Sequence, residues 1–238
     1  MTHAFRAAPH PAIAIEGEVL TFPVRRVWCV GRNYADHALE MGGDPVREPP
    51  FFFAKPADAV VPGGGILPFP LATSDLHHEV ELAVALDRGG VDLSAEQALG
   101  CVYGYAMALD MTRRDLQAQA KRDGRPWDMA KGFDQSCPIG AVRRARDVEP
   151  TGAITLTVNG QVRQSGRFAD MIWSVADCLA ALSRLVRLAP GDILLTGTPS
   201  GVGPVVPGDI LVAHSDAAPS LGATYLARPS ASERKASC

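Results

Sequence analysis

The 238 residues carry 23 lysines and arginines against 26 aspartates and glutamates, a formal net charge of −3, with 47% hydrophobic side chains. That is enough chain for one large domain with a real core, and balanced charge without a basic stripe argues against a nucleic-acid or anionic-membrane surface. No apolar run reaches the roughly 18 residues of a membrane span. Met1-Thr2-His3-Ala4-Phe5-Arg6 opens no secretory leader, and Cys29, Cys101, Cys137, Cys178 and Cys238 lack C-x-x-C spacing, so reduced thiols and a cytoplasmic location are expected.

Residues 1–26, with Pro9, Pro11 and Pro23 around Ala12-Ile13-Ala14-Ile15, read as an extended lead-in holding one strand. Val27-Trp28-Cys29-Val30-Gly31 is a compact apolar strand, followed by a short helix over 32–43 that Asn33 can cap and Gly42-Gly43 ends. On that helix His37 and Glu40 are three apart and share a face. Glu40 could then hold the tautomer of His37 for water activation, although an exposed ion pair has the same spacing. Phe51-Phe52-Phe53-Ala54-Lys55 is a strand cut short by Pro56, and Lys55 either reaches a site or simply ends the strand.

The stretch His77-His78-Glu79-Val80-Glu81-Leu82-Ala83-Val84-Ala85-Leu86 alternates like a strand. Glu79, Glu81, Ala83 and Ala85 take one face, and His78, Val80, Leu82, Val84 and Leu86 the other. Two carboxylates on one covered face require a positive charge between them. A second apolar strand, 101–109, ends in Asp110, which makes three hard oxygen donors suited to Mg²⁺, Mn²⁺ or Ca²⁺. Spacing alone leaves a metal site and a solvated edge-strand face both open.

Thr112, with Asp115 three residues later, is a candidate helix cap, and on the helix that follows Arg114 and Gln117 share a face one turn beyond Asp110. Lys131 falls in a partly apolar irregular segment, where a solvated charge is harder to place. Residues 154–163 form a hairpin turning at Asn159-Gly160, read as structural, and Ser174 opens a helix with core spacing at Val175, Leu179, Leu182 and Val186. Asp192-Ile193-Leu194-Leu195-Thr196 is a strand running into Gly197-Thr198-Pro199-Ser200-Gly201-Val202-Gly203. That loop lacks Gly-Lys-Ser/Thr, so Thr198 is read as a hydroxyl donor to a substrate carboxylate instead of part of a phosphate loop. Residues 210–215 and 224–227 are closing strands, and 228–238 a polar tail.

Taken in order, Val30-Gly31-Arg32-Asn33-Tyr34-Ala35-Asp36-His37, His78-Glu79-Val80-Glu81, the 109–117 segment, Lys131-Gly132-Phe133-Asp134 and the 196–203 loop resemble the motifs of the fumarylacetoacetate hydrolase family. The resemblance spans residues 27–226, and the 49–58 and 168–175 segments are most similar to its fumarylpyruvate hydrolases. It implies a β-rich α+β fold, a mixed β-roll or sandwich with a few peripheral helices, as one catalytic domain over 27–227 flanked by the lead-in and tail. It further implies a homodimer with Mg²⁺ on Glu79, Glu81 and Asp110, His37 and Glu40 as a dyad on a lid helix, and Lys131 near the reacting carbonyl. Arg114, Gln117 and Thr198 match positions lining the substrate site. The expected reaction is hydrolysis of a carbon–carbon bond in an acylpyruvate, an anionic oxo acid. Oxo-acid decarboxylation or isomerisation on the same scaffold is the alternative, and a metal-stabilised binding protein a further one. Arg32 and Arg113 are the candidate partners for a distal substrate carboxylate.

Overall fold

The computed structural model describes residues 4–5, 9–35 and 49–228. The described strands before Ala95 are β1 (Ala12–Ala14), β2 (Thr21–Pro23), β3 (Arg26–Gly31), β4 (Phe51–Lys55), β5 (Val60–Pro62), β6 (Gly64–Pro68), β7 (Leu76–His78) and β8 (Val80–Leu86). Helix α1 (Ala95–Leu99) leads to β9 (Val102–Leu109) and β10 (Thr112–Arg113), then α2 (Arg114–Asp123) and α3 (Asp128–Lys131). After these come β11 (Cys137–Ile139), β12 (Arg143–Arg144), β13 (Ala153–Val158), β14 (Gln161–Arg167) and α4 (Val175–Leu185). The chain closes with β15 (Asp192–Leu195), β16 (Gly203–Val205), β17 (Ile210–Ser215) and β18 (Ala218–Leu226).

An eight-stranded mixed sheet runs β4-β3-β15-β8-β9-β11-β5, with β12 also paired to β9. A five-stranded sheet, β14-β13-β17-β18-β6, lies against it. The alternation read from β8 is what joins them. Val80, Leu82, Val84 and Leu86 enter one apolar cluster with Met107 and Leu109 of β9, Ile154 and Leu156 of β13, Leu211 of β17 and Leu179 of α4. Ala83 and Ala85 face the other way, into a second cluster with Ala106, Ala108, Val27, Ile193 and Leu195. Small side chains on that second face admit a close cover, each large apolar residue of which contributes about 1.5–3 kcal/mol by burial.

The cover comes from the lead-in. β1 and β2 pair antiparallel, and Ile13, Ile15 and Phe22 bury in the second cluster. The first 26 residues thus supply two strands and part of the core, where one strand was expected. One cap expectation also changes, while residues 36–43 of the helix expected after Asn33 lie outside the described residues. Asn33 Oδ1 accepts from Trp173 N at 2.8 Å while its Nδ2 donates to Thr196 O and Trp173 O, so Asn33 ties the end of β3 to the 173–196 region. Thr112 lies in β10, paired with His77, and donates to Asp110 O, so α2 starts without it. The hairpin holds as read, with Asn159 and Gly160 at φ 52° and 77°. Ser174 accepts from Asp177 N to open α4. The last strand begins at Ala218, six residues before the expected Thr224.

Candidate active site

The site is built by strand register. In the antiparallel β8–β9 pair Val80 lies opposite Leu109 and Glu81 opposite Ala108. One step further Asp110 N donates to Glu79 O at 2.8 Å, which sets Asp110 across from Glu79 on the face that Glu81 shares. On the other side of β8, Leu195 of β15 pairs with Ala83, so the strand end brings Gly197 N to donate to Glu81 Oε2 at 2.6 Å. β8 is an interior strand, so the solvated-edge alternative is excluded; all three carboxylates are buried.

Basic side chains meet these acids. Lys131, at the end of α3, donates to Glu79 Oε2 and Asp110 Oδ2 at 2.7 Å each. Burial works against its charge, but Asp110 and Glu79 outweigh that and hold its pKa above the usual lysine range. Lys55 resolves the ambiguity of the sequence. It is fully buried, 2.8 Å from Asp110 Oδ1, and donates to Met111 O and Lys131 O. Arg114 donates to Glu79 Oε1 at 2.5 Å, to Gln117 Oε1 at 2.6 Å and to His77 Nδ1 at 3.3 Å. With Nδ1 accepting, the His77 Nε2–H donates to Asp75 Oδ1, and burial followed by Arg114 pushes its pKa down.

Glu81 differs from the other two acids. Among the described residues no basic side chain touches it, and the Gly197 N–H is its hydrogen-bond donor. Burial first, then the Asp110 and Glu79 charges, push its pKa well up. A buried carboxylate in that position lacks a cation. Ligand oxygens of Glu79, Glu81 and Asp110 all lie within 4.8 Å of one another. Oxygens around one Mg²⁺ at about 2.1 Å sit about 3 Å apart in cis and about 4.2 Å in trans, and somewhat wider around Ca²⁺. Donor chemistry, spacing and a Glu81 carboxyl that has no basic partner among the described residues therefore fit one hard divalent ion.

A cleft opens over this cluster, lined also by Arg114, Gln117 and Thr198. Gln117 spends its carbonyl on Arg114, which turns its amide N–H groups to the cleft. Thr198 Oγ1 accepts from Gln164 Nε2 at 2.7 Å, which leaves the hydroxyl hydrogen to donate. Gln164 was missed. It sits in β14, read as purely structural, yet its side chain is buried, and its Oε1 accepts from Val80 N and pairs with His78 Nδ1. An inward-facing glutamine in a hairpin strand was the available signal. His78 is held there, off the carboxylate face. Arg113 turns away, donating to Met129 O with its guanidinium 4.3 Å from the Phe133 ring centroid, whereas Arg32 lines the cleft. His37 and Glu40 lie outside the described residues.

Residues 26–225 match the family model described as fumarylacetoacetate (FAA) hydrolase C-terminal. The chain is 42% identical over 190 residues to the mitochondrial oxaloacetate decarboxylase of Dictyostelium discoideum, covering 79% of this chain and 87% of that protein. It is 41% identical over 204 residues to an oxaloacetate tautomerase of Escherichia coli (strain K12), covering 84% and 93%. Its fold superposes on the crystal structure of fumarylpyruvate hydrolase from Pseudomonas aeruginosa in complex with Mn²⁺ and pyruvate with a TM-score of 0.93 at 47% identity, covering 95% of this chain and 100% of that one.

Proposed function

The chain belongs to the fumarylacetoacetate hydrolase family, and from that premise we propose that it is a Mg²⁺-dependent acylpyruvate hydrolase that cleaves fumarylpyruvate to fumarate and pyruvate. The observation that carries the reading is the buried Glu79, Glu81 and Asp110 cluster with Lys131 against it, in a chain whose fold superposes at 47% identity on a fumarylpyruvate hydrolase crystallised with Mn²⁺ and pyruvate.

When bound to Glu79, Glu81 and Asp110, the cation supplies Lewis-acid polarisation of the carboxylate and keto oxygens of a 2-oxo acid. The protein's own groups do the rest. Lys131 has two of its three N–H donors on Glu79 and Asp110, which fixes the ammonium and leaves the third for an oxygen that gains charge as water adds. An ammonium held in this way stabilises developing negative charge. The Gln117 amide and Thr198 hydroxyl orient the substrate, each held in place by one bond to the protein. His37, oriented by Glu40, takes the proton of the attacking water. Addition at the 4-carbonyl is followed by cleavage of the C3–C4 bond, whose electron pair stays on the pyruvate carbon until that carbon is protonated.

The reading includes a homodimer in the cytoplasm. A second reading, oxaloacetate tautomerisation or decarboxylation, is favoured by the names of the curated relatives. Both need the electron sink but no attacking water. Parallel kcat/KM values for fumarylpyruvate, acetylpyruvate and oxaloacetate decide between them. The proposal expects fumarylpyruvate to lead by about tenfold or more, and a lead for oxaloacetate would replace it with the second reading.

A further inference from the structure

Beyond the carboxylates the cleft follows one face of α2. Arg114, Gln117 and Lys121 recur at i, i+3 and i+7, and all three line it. The helical rise sets Lys121 about 10 Å further along the axis than Arg114. At this far end Lys121 Nζ lies 5.2 Å from the centroid of the Trp127 ring. Trp127 in turn meets Phe51 edge-on at 5.7 Å, and the Arg32 guanidinium lies 5.9 Å from the Phe51 centroid. The walls are aromatic, and among the described residues the charges that act most on Lys121 are those of Arg114 and Arg32, ahead of Glu79.

Among the described residues the Lys121 ammonium makes no hydrogen bond and touches no carboxylate; it sits over the face of Trp127. Burial first, then the like charges of Arg114 and Arg32, push its pKa down to about 8. An exposed surface lysine would relieve such repulsion by turning its head into water. Lys121 instead keeps its head in the cleft, where a carboxylate would remove the repulsion from two guanidinium groups at once.

We propose that Lys121 binds the carboxylate at the end of the acyl chain remote from the Glu79, Glu81 and Asp110 cluster, and so selects acylpyruvates with a terminal carboxylate over those ending in methyl. This rests on the acylpyruvate reading given above. A planar unsaturated acyl chain can lie against the Phe51 and Trp127 rings, which line the cleft beside Lys121. Arg113, turned onto Phe133, takes no part.

The test uses Mg²⁺-loaded wild type, Lys121→Met and Lys121→Arg, with fumarylpyruvate and acetylpyruvate as probes. Stopped-flow changes in enol absorbance separate binding from turnover. Methionine keeps the packing on Trp127 and removes the charge. The expected result is a rise of about tenfold or more in Kd for fumarylpyruvate in Lys121→Met, a change within about twofold for acetylpyruvate, and partial recovery in Lys121→Arg. Equal losses for both acids, unchanged fumarylpyruvate binding, or no wild-type preference for the dicarboxylate would each overturn the assignment. A Lys121-dependent preference without release of fumarate would support Lys121 and sink the hydrolase reading. Turnover of both acids regardless of Lys121 would do the reverse.

Discussion

Replacing Lys55 by methionine tests whether the carboxylate cluster is held by buried charge balance. The side chains of Lys55 and Asp110 are both fully buried, and the ammonium also serves Met111 O and Lys131 O. Methionine preserves the stem but leaves Asp110 to Lys131 alone. Removing one partner of a buried pair costs about 3–5 kcal/mol. In a domain of this size each kcal/mol moves the melting temperature by about 2–4 °C, so the metal-free variant should melt about 6–20 °C below wild type. A divalent cation at the cluster replaces part of the missing charge, so Mg²⁺ should raise the Tm of Lys55→Met by more than it raises that of wild type. Calorimetry with and without Mg²⁺ reads both effects, and Lys55→Met/Asp110→Asn completes a cycle that isolates the pair. A metal-free Tm within about 2 °C of wild type, or an equal Mg²⁺ gain in both proteins, would refute the charge-balance argument.

Glu81→Gln keeps the Gly197 N–H bonded but removes the charge, so it should fold normally and lose at least about a hundredfold in Mg²⁺ affinity by titration calorimetry; unchanged affinity would remove Glu81 from the ligand set. The raised folded pKa of Glu81 means that the metal-free fold holds a proton which the unfolded chain releases above the ordinary glutamate value of 4.5. Stability from that carboxyl is therefore present at low pH and lost as pH rises toward the folded pKa, so the gap in Tm between Mg²⁺-loaded and metal-free protein should widen with pH; a constant gap would count against it. Gln164→Leu strips bonds from His78, Val80 N and Thr198, and should lower Tm and raise KM for acylpyruvates at once. A drop in Tm with KM intact would make Gln164 purely structural.

The carboxylate face of β8 was legible because strand parity is a local property, and the same parity placed His78 away from the cluster. Register was not. Glu79 comes to face Asp110 only when β8 pairs with β9, and no local pattern specifies which residues of two apolar strands lie opposite each other. The charge partners were harder still. Lys55 ends a strand three positions across the sheet and Lys131 ends a one-turn helix, so only the folded sheet brings both ammonium groups to Asp110. Thr112 was misread because a short polar side chain before a helix satisfies capping rules, but here a strand pairing at His77 and the Asp110 carbonyl compete more effectively. Lys121 was visible as the i+4 neighbour of Gln117, yet helical spacing alone cannot separate a cleft-lining lysine from a solvated one.

Hydrolysis alone, unlike tautomerisation or decarboxylation, places a water oxygen in the released acid. Turnover of fumarylpyruvate by the Mg²⁺-loaded protein in ¹⁸O-labelled water, with mass analysis of the products, therefore tests the account most directly. The account predicts one labelled oxygen in the new carboxylate of fumarate, with no turnover after chelation. Fumarylpyruvate left intact while oxaloacetate is consumed under the same conditions would contradict it.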